Sequence, residues 1–292
     1  MSETNTAVQT KQPSAKAVAV SNIKSLVENN YYKQLFKQSL GANAGAFTTS
    51  IMEVITNDAN LIKCEPKALM QECVKAASLK LPINKQLGYA YLVPYNNIPT
   101  LIIGYKGYIQ LAIRSGQYRG INTDIVYEGE LRGYDKLTGL IDLTGKRESD
   151  KVVGYFAYFE LLNGFKKTLY MSLEKMAKYA VRYVLTLKKR NPEELMKLAQ
   201  EQSDNGIAGN GIGWLGDINS MACKTTLRNI LGKYGYLSTE MQEAYEHEIN
   251  IEANALHQRD ELNAAPKPTF DVSQFAEAEE VADDEPSPFD QK

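Results

Sequence analysis

Basic side chains gather on one face of the segment 173–190, which is predicted to be a helix. At 100° per helical residue, a sector of about 60° contains four cations, Lys175, Lys178, Arg182 and Lys189. The only carboxylate of the segment, Glu174, lies in the first turn, where the helix dipole favours negative charge. A cationic face with so little acidic balance favours phosphate binding, and a merely solvated surface is the alternative.

Two further predicted helices carry cations close to aromatic rings. One places Lys106 and Arg114 on the same face beside two tyrosines, and the other places Lys224 and Arg228 four residues apart. Cations that follow a sugar-phosphate backbone, together with aromatic rings that stack on bases, hold single-stranded nucleic acid without sequence preference. The three basic faces together therefore indicate a nucleic-acid surface, although one or two cations on any single helix are ordinary.

Two short motifs that suggest enzymes lack the expected context. Residues 211–216 match the pattern GxGxxG, but no strand precedes them, so a nucleotide-binding turn is not expected. The phosphate-binding pattern GxxxxGK[ST] does not occur, which argues against ATP-driven strand exchange. Ser172 and Lys175 fit the SxxK pattern of acyltransferases, but Ser172 directly before a helix is more simply an N-cap.

Histidines and carboxylates do not form a recognisable catalytic set either. The two histidines, His247 and His257, both lie in the acidic C-terminal part, which argues against histidine catalysis or a zinc site. Asp124, Glu128 and Glu130 form one carboxylate cluster, but no second cluster completes a metal-dependent nuclease site. We therefore expect a protein that is not an enzyme and needs no cofactor.

The charges of the chain are divided along its length. The whole protein has a net charge of −2, but residues 238–292 hold fifteen carboxylates and three cations. Residues 31–237 hold 27 basic and 18 acidic residues, a net charge of +9. A basic body joined to an acidic tail indicates a polyanionic partner, with a tail that competes for the body or recruits another protein. Lysines that serve only solubility are the alternative.

Composition divides the chain into four parts. Residues 1–21 are expected to be a disordered arm, and residues 22–237 a folded basic core. Residues 238–265 are expected to form an acidic helical segment, and residues 266–292 a disordered acidic tail. The longest apolar runs are too short to cross a bilayer, no signal-peptide pattern precedes the core, and three scattered cysteines cannot form a disulfide framework. We expect a cytoplasmic protein with no membrane partner.

The hydrophobic periodicity predicts an α+β fold of antiparallel hairpins with flanking helices. Helices are expected at residues 22–40, 48–60, 66–79, 106–115, 173–190, 217–233 and 239–262. Strands are expected at residues 89–95, 98–104, 119–128, 152–162 and 165–171, with hairpin turns at Asn96-Asn97 and Asn163-Gly164. Gly116 is expected just beyond the end of the helix 106–115.

Two groups of segments resemble the signatures of the RecT family of phage recombinases, single-strand annealing proteins of the Redβ/RecT superfamily. The first group is residues 92–95 (LVPY) and 104–116 (GYKGYIQLAIRSG), and the second is Trp214 followed by residues 221–228 (MACKTTLR). The resemblance extends over about residues 25–237. It implies a bent antiparallel sheet of hairpins whose flanking helices form a basic DNA-binding groove.

The resemblance also implies a function. Proteins of this family bind single-stranded DNA, pair it with a complementary strand without ATP, and so pass through an annealed duplex intermediate. They act as homo-oligomeric rings or helical filaments on strands exposed by a partner 5′→3′ exonuclease, and a host single-strand-binding protein is a further partner. A passive coating protein that binds single strands without promoting annealing is the alternative.

The hypothesis from the residues is a groove in which cations neutralise phosphates while rings stack on or wedge between bases. The cations are Lys106, Arg114, Arg119, Lys175, Lys178, Arg182, Lys189, Lys224 and Arg228, and the rings are Tyr105, Tyr108 and Trp214. A tyrosine packed in the core is the alternative for Tyr105 and Tyr108. About six phosphate contacts per protomer predict a slope near −4 for log affinity against log salt.

The acidic tail allows three interpretations. Residues 283–289 (DDEPSPF) resemble the acidic tip of bacterial single-strand-binding proteins, but three residues follow the phenylalanine here whereas that tip ends on it. The tail is otherwise a polyanion that competes for the body, or an inert solubilising segment.

Overall fold

A computed structural model describes residues 14–207 and 213–263. Its helices are α1 Ala15–Glu28, α2 Asn30–Leu40, α3 Ala44–Thr56, α4 Pro66–Ser78, α5 Tyr105–Arg114, α6 Leu173–Tyr183, α7 Pro192–Asn205, α8 Gly213–Gly216, α9 Ile218–Tyr234 and α10 Thr239–Asn263. Its strands are β1 Ala90–Tyr95, β2 Ile98–Ile103, β3 Tyr118–Tyr127, β4 Gly133–Tyr134, β5 Ile141–Asp142, β6 Val152–Leu161 and β7 Lys166–Ser172. Short 3-10 turns occur at residues 41–43, 61–63 and 185–187.

All strand pairing in the described residues is antiparallel. β1 and β2 form a hairpin, β4 and β5 form a second small hairpin, and β3, β6 and β7 form a three-stranded sheet with β6 at its centre. The predicted α+β fold of antiparallel hairpins with flanking helices is therefore confirmed. The strands are distributed over three sheets rather than one continuous bent sheet.

Local signals placed several boundaries correctly. Asn96 and Asn97 have φ angles of 50° and 64°, the left-handed values that a two-residue hairpin turn requires. The Ser172 side chain accepts a hydrogen bond from the Lys175 backbone amide at 3.3 Å, so its predicted N-cap role is confirmed. Gly116 has a φ of 67°, as expected of a glycine that ends a helix.

The predicted helix at residues 22–40 has different bounds in the structure. Residues 22–40 form two helices rather than one, because Asn29 is extended and its side chain caps the second by accepting from the Tyr31 amide at 2.8 Å. α1 also begins at Ala15, so residues 15–21 are helical rather than part of a disordered arm. The expectations for residues 1–13 and 266–292 lie outside the described residues, as do residues 211 and 212 of the GxGxxG match.

Helix α9 is the central element of the packing. It contacts the sheet strands β3, β6 and β7 as well as helices α5 and α7. Its first turns join a hydrophobic cluster with α6 and α7, and its last turns join a second cluster with α4, α5 and the β1–β2 hairpin. Because the middle of this helix is buried on so many sides, the cations there, Lys224 and Arg228, must find partners inside the protein.

Two glycines of the first signature allow the start of α5 to lie against the backbone before β1. A Cβ atom at Gly104 would lie 2.2 Å from the carbonyl oxygen of Gly88, and one at Gly107 would lie 2.3 Å from that of Tyr89. Any larger residue would push the two segments apart. This close approach fixes the direction in which the side chains of Tyr105 and Lys106 project from the start of α5.

Gly107→Ala tests this close approach. Alanine favours a helix over glycine, yet we expect the substitution to lower the free energy of unfolding by about 1–3 kcal/mol, because the new methyl group meets a backbone carbonyl. Gly45→Ala in α3 is the matched control, since no heavy atom lies within 4 Å of its Cβ position. Urea denaturation of both variants should show a loss only at Gly107, and equal behaviour would contradict the packing described here.

Candidate nucleic-acid interface

A cleft lies between the start of α5 and the start of α9, the two elements that carry the signature segments. Its volume is about 230 Å³. Three lysines line it, Lys85, Lys106 and Lys224, and two tyrosines, Tyr91 and Tyr105, provide aromatic surface. Lys106 is exposed at the opening, while both tyrosines are half-buried. The structure thus brings Tyr105, Lys106 and Lys224 together, as the sequence predicted.

The N-cap of α9 places one carboxylate in this cleft. Asp217 accepts a hydrogen bond from the Ser220 amide at 2.9 Å and is 8% exposed. Burial raises the pKa of Tyr91, and the nearby charge of Asp217 raises it further. Burial likewise raises the pKa of Tyr105. Both tyrosines therefore stay neutral at physiological pH and present uncharged rings to a ligand.

Lys224 and Arg228 form a buried cluster with a carboxylate of α10. The Lys224 Nζ lies 2.6 Å from Glu248 Oε1, and the Arg228 Nε lies 3.6 Å from Glu248 Oε2. The side chains are only 8%, 11% and 5% exposed, respectively. The expectation that Lys224 and Arg228 present open phosphate contacts is therefore wrong for this conformation, because α10 covers them.

Two of the three predicted stacking rings belong to the hydrophobic core. Tyr108 is fully buried and meets Tyr245 edge to face with ring centroids 5.4 Å apart. Trp214 is 7% exposed and packs in the cluster that includes α6 and α7. Neither ring can reach a base without local opening, so the stacking assignment is wrong for both and Tyr105 alone of the three lies in the cleft.

The basic face predicted on the segment 173–190 is shorter in the structure. α6 ends at Tyr183, where Val184 is extended, so Lys189 is exposed but does not share the face of the other cations. Lys178 forms an ion pair with Glu174 one turn earlier. Lys175 is exposed, and the Arg182 guanidinium lies 5.3 Å from the Tyr183 ring centroid. Lys175, Lys178 and Arg182 remain one surface, and Lys189 is separate from it.

Arg114 and Arg119 already have partners within the protein. The Arg114 guanidinium donates hydrogen bonds to the carbonyl oxygens of Leu79 at 2.6 Å and Lys80 at 3.3 Å, and so satisfies the end of α4. The Arg119 guanidinium donates to Glu160 across the β3–β6 pair at 3.0 Å. The structure does not place either residue in the lining of the cleft.

Three residues that matter for this site were not among the predicted ones. Lys85 and Tyr91 line the cleft because the loop before β1 and the strand itself border the start of α5. Glu248 is one of fifteen carboxylates after residue 237, and its neighbours in sequence do not distinguish it. The alternation of residues along β1 indicated a face for Tyr91, but no local signal identified Glu248.

Within the described parts of the chain, no helix is long and apolar enough to cross a membrane. The same residues contain no group of His, Cys, Asp and Glu side chains arranged to hold a metal ion. The three cysteines are buried free thiols, and burial raises the pKa of the Cys223 thiol to about 12.

Comparison with known proteins connects the two halves of this cleft to one family. The RecT family profile matches residues 45–280, a range that includes both signature segments and all of α10. The uncharacterized protein YqaK of Bacillus subtilis (strain 168) is 37% identical over 266 residues, which cover 91% of this chain and 80% of YqaK. The chain belongs to the RecT family. Protein RecT of Escherichia coli (strain K12) is 29% identical over 191 residues, or 62% of each chain.

Membership of the RecT family gives the cleft its interpretation. The resemblance noted from residues 92–95, 104–116 and 214–228 is confirmed, and all three segments lie inside the matched range. The structure brings the first and second RecT signatures to opposite sides of the same cleft. The family relation supports DNA binding, single-strand annealing and DNA recombination as the activities to test.

The buried cluster makes a prediction about stability. Lys224→Met should lower the free energy of unfolding by about 3–5 kcal/mol, because it leaves Glu248 buried with one fewer counter-charge. Lys175→Met removes the same charge at an exposed position of α6 and should change stability by about 0.5 kcal/mol or less. Chemical denaturation of both variants gives the comparison. Equal losses would show that the Lys224–Glu248 pair adds nothing to the fold.

Proposed function

We propose that this chain is an ATP-independent protein that binds single-stranded DNA and anneals it to a complementary strand in phage-type homologous recombination. The observation that carries the proposal is the cleft lined by Lys85, Lys106, Lys224, Tyr91 and Tyr105 between the two RecT signatures. The exposed Lys85 and Lys106 attract a phosphate backbone without reading base identity, because their ammonium groups are point charges. Sequence selection is then left to base pairing with the incoming strand.

The chemistry of the cleft fits annealing because lysines can contact the sugar-phosphate backbone of DNA and tyrosine rings can stack on the faces of its bases. Uncharged tyrosine rings stack on any base, which contributes about 1–3 kcal/mol per base. Such contacts leave the Watson–Crick edges of the bases free for a second strand. The protein therefore acts by holding and presenting a strand, with no bond made or broken.

The proposal includes assembly and partners. A homo-oligomer, as a ring or helical filament, would repeat the cleft along one strand and multiply weak contacts into stable binding. A 5′→3′ exonuclease would expose the strand, and a host single-strand-binding protein would compete for it or deliver it. The RecT family relation supports these partners, and the tail after residue 265 is the segment to test for recruiting them.

The direct test mixes two complementary oligonucleotides with the protein in the absence of ATP and follows duplex formation over time. We expect faster annealing than in a protein-free control, and we expect the acceleration to disappear at high salt because phosphate contacts release counterions. Binding without acceleration would identify the passive coating protein instead. Shortened strands would identify a nuclease and end the proposal that the chain is not an enzyme.

A single substitution in the cleft tests its role more narrowly. Lys106→Gln removes an exposed cation at the opening, so affinity for oligo(dT) should fall and the log–log salt slope should decrease in magnitude by about 0.7. Lys33→Gln is the matched control, because Lys33 is an exposed lysine on α2 that does not line the cleft. Fluorescence anisotropy at several salt concentrations measures both. An unchanged slope for Lys106→Gln would remove the cleft from the DNA path.

A further inference from the structure

Helix α10 lies against each of the three helices whose basic faces the sequence assigned to DNA. It contacts α5, α6 and the 3-10 turn that follows α6. It is joined to α9 by the Tyr245 hydroxyl, which donates a hydrogen bond to the Arg228 carbonyl oxygen at 2.5 Å. Residues 239–263 contain seven carboxylates and one arginine. An acidic helix therefore covers surfaces with the opposite charge.

Glu248 makes the central contact between α10 and the rest of the protein, and it lies between Lys224 and Arg228. One carboxylate lies within 3.6 Å of a nitrogen of each cation. Carboxylates and phosphates are recognised by the same cationic donors, which makes Glu248 a chemical counterpart of a backbone phosphate. Tyr245, Met241 and Ala244 hold the helix in place by packing into the core.

A second carboxylate of α10 lies near the other cations of this surface. Hydrogen bonds from its own backbone amide and from Ser238 lower the pKa of Glu240, and the nearby charges of Lys80 and Arg114 lower it further. Glu240 and Glu248 are eight residues apart, or about 12 Å along the helix axis. Two negative charges at this spacing therefore lie over cations of both α5 and α9.

The Tyr108 hydroxyl belongs to the same buried cluster. It is fully buried, and burial together with the nearby charge of Glu248 raises the pKa of Tyr108. Tyr108 is therefore a neutral group beside Glu248 at physiological pH.

We propose that the surface under α10, formed by Lys224 and Arg228 and bordered by the exposed Arg114, is a second binding surface for the phosphate backbone of single-stranded DNA. Glu248 occupies it as an internal substitute, and DNA binds there by displacing α10. The surface is continuous with the cleft, because Lys224 lines the cleft and also contacts Glu248. A strand held at Lys106 thus has a path toward α9 once the helix leaves. This inference rests on the proposed binding of single-stranded DNA.

The exchange requires α10 to leave without unfolding the body. Its described side chains insert into the core from Met241 to Glu248, and Ile249 is already 52% exposed. The His247 ring adds two contacts outside the charged cluster, with Nε2 lying 3.1 Å from the Leu101 carbonyl oxygen and 3.5 Å from Glu72 Oε2. The part of α10 that is anchored in the core is therefore short. When it leaves, an incoming phosphate takes the place of Glu248 beside Lys224 and Arg228.

Glu248→Gln tests the substitution directly in the full chain. The amide keeps the shape of the side chain and removes the competing charge, so affinity for fluorescein-labelled oligo(dT) should rise about tenfold, as the open state becomes more populated. Glu246→Gln removes a charge at an exposed position of the same helix and should leave affinity unchanged. Equal or weaker binding by Glu248→Gln would overturn the proposal and show instead that Glu248 only holds Lys224 in position.

Hydrogen exchange on the unmodified protein provides a second measurement that does not depend on how a variant folds. Saturating oligo(dT) should reduce the protection of backbone amides at residues 241–248 if DNA displaces α10. Unchanged or increased protection in a protein that does bind oligo(dT) would overturn this inference and leave the proposed function intact. Failure of the unmodified protein to bind oligo(dT) would instead end the proposed function and this inference with it.

Discussion

Two cations on a helix that is buried on nearly every side impose the constraint on which the rest of this structure depends. Lys224 and Arg228 belong to α9, which packs against the sheet and against helices on both sides. Removing such charges from water costs several kcal/mol per ion unless an anion accompanies them. Glu248 supplies that anion, and its position fixes α10 against the body. Part of the acidic C-terminal charge is thus a contact partner of the basic body rather than a detached tail.

The geometry of the cleft depends on a second constraint, the absence of side chains at two positions. Gly104 and Gly107 let the start of α5 touch the backbone of Gly88 and Tyr89. This contact carries Tyr105 and Lys106 to one side of the cleft, while the N-cap of α9 at Asp217 forms the other side. Small residues in the first signature therefore have a structural reason, and the charged residue between them has room to reach a ligand.

Sequence reasoning succeeded where a local rule decides the structure. The Asn96-Asn97 turn, the Ser172 cap and the glycine after α5 each follow from backbone preferences of the residues themselves. It failed where tertiary packing decides. Helical spacing places Tyr105 and Tyr108 near the same cations, but only the packed fold sends Tyr108 inward against Tyr245 and leaves Tyr105 in the cleft.

The same division between local and tertiary causes explains the basic residues. Helical periodicity correctly grouped Lys175, Lys178 and Arg182, whereas the end of α6 at Tyr183 separated Lys189 from them. The burial of Lys224 required knowledge of a carboxylate 24 residues later that no local pattern distinguishes from its neighbours.

The proposed exchange at Glu248 would suit a protein that holds a strand and then releases it. A cation that faces water loses hydration when it meets a phosphate, whereas Lys224 and Arg228 are already desolvated and paired. Exchanging a carboxylate for a phosphate at such a site would replace one buried ion pair with another, so the ionic part of the free-energy change would be small. A small difference can be reversed by salt, by a neighbouring copy or by the completed duplex. Tight, permanent contacts with DNA would suit a coating protein. An exchange of Glu248 for phosphate with a small free-energy change would suit a protein that releases the annealed duplex.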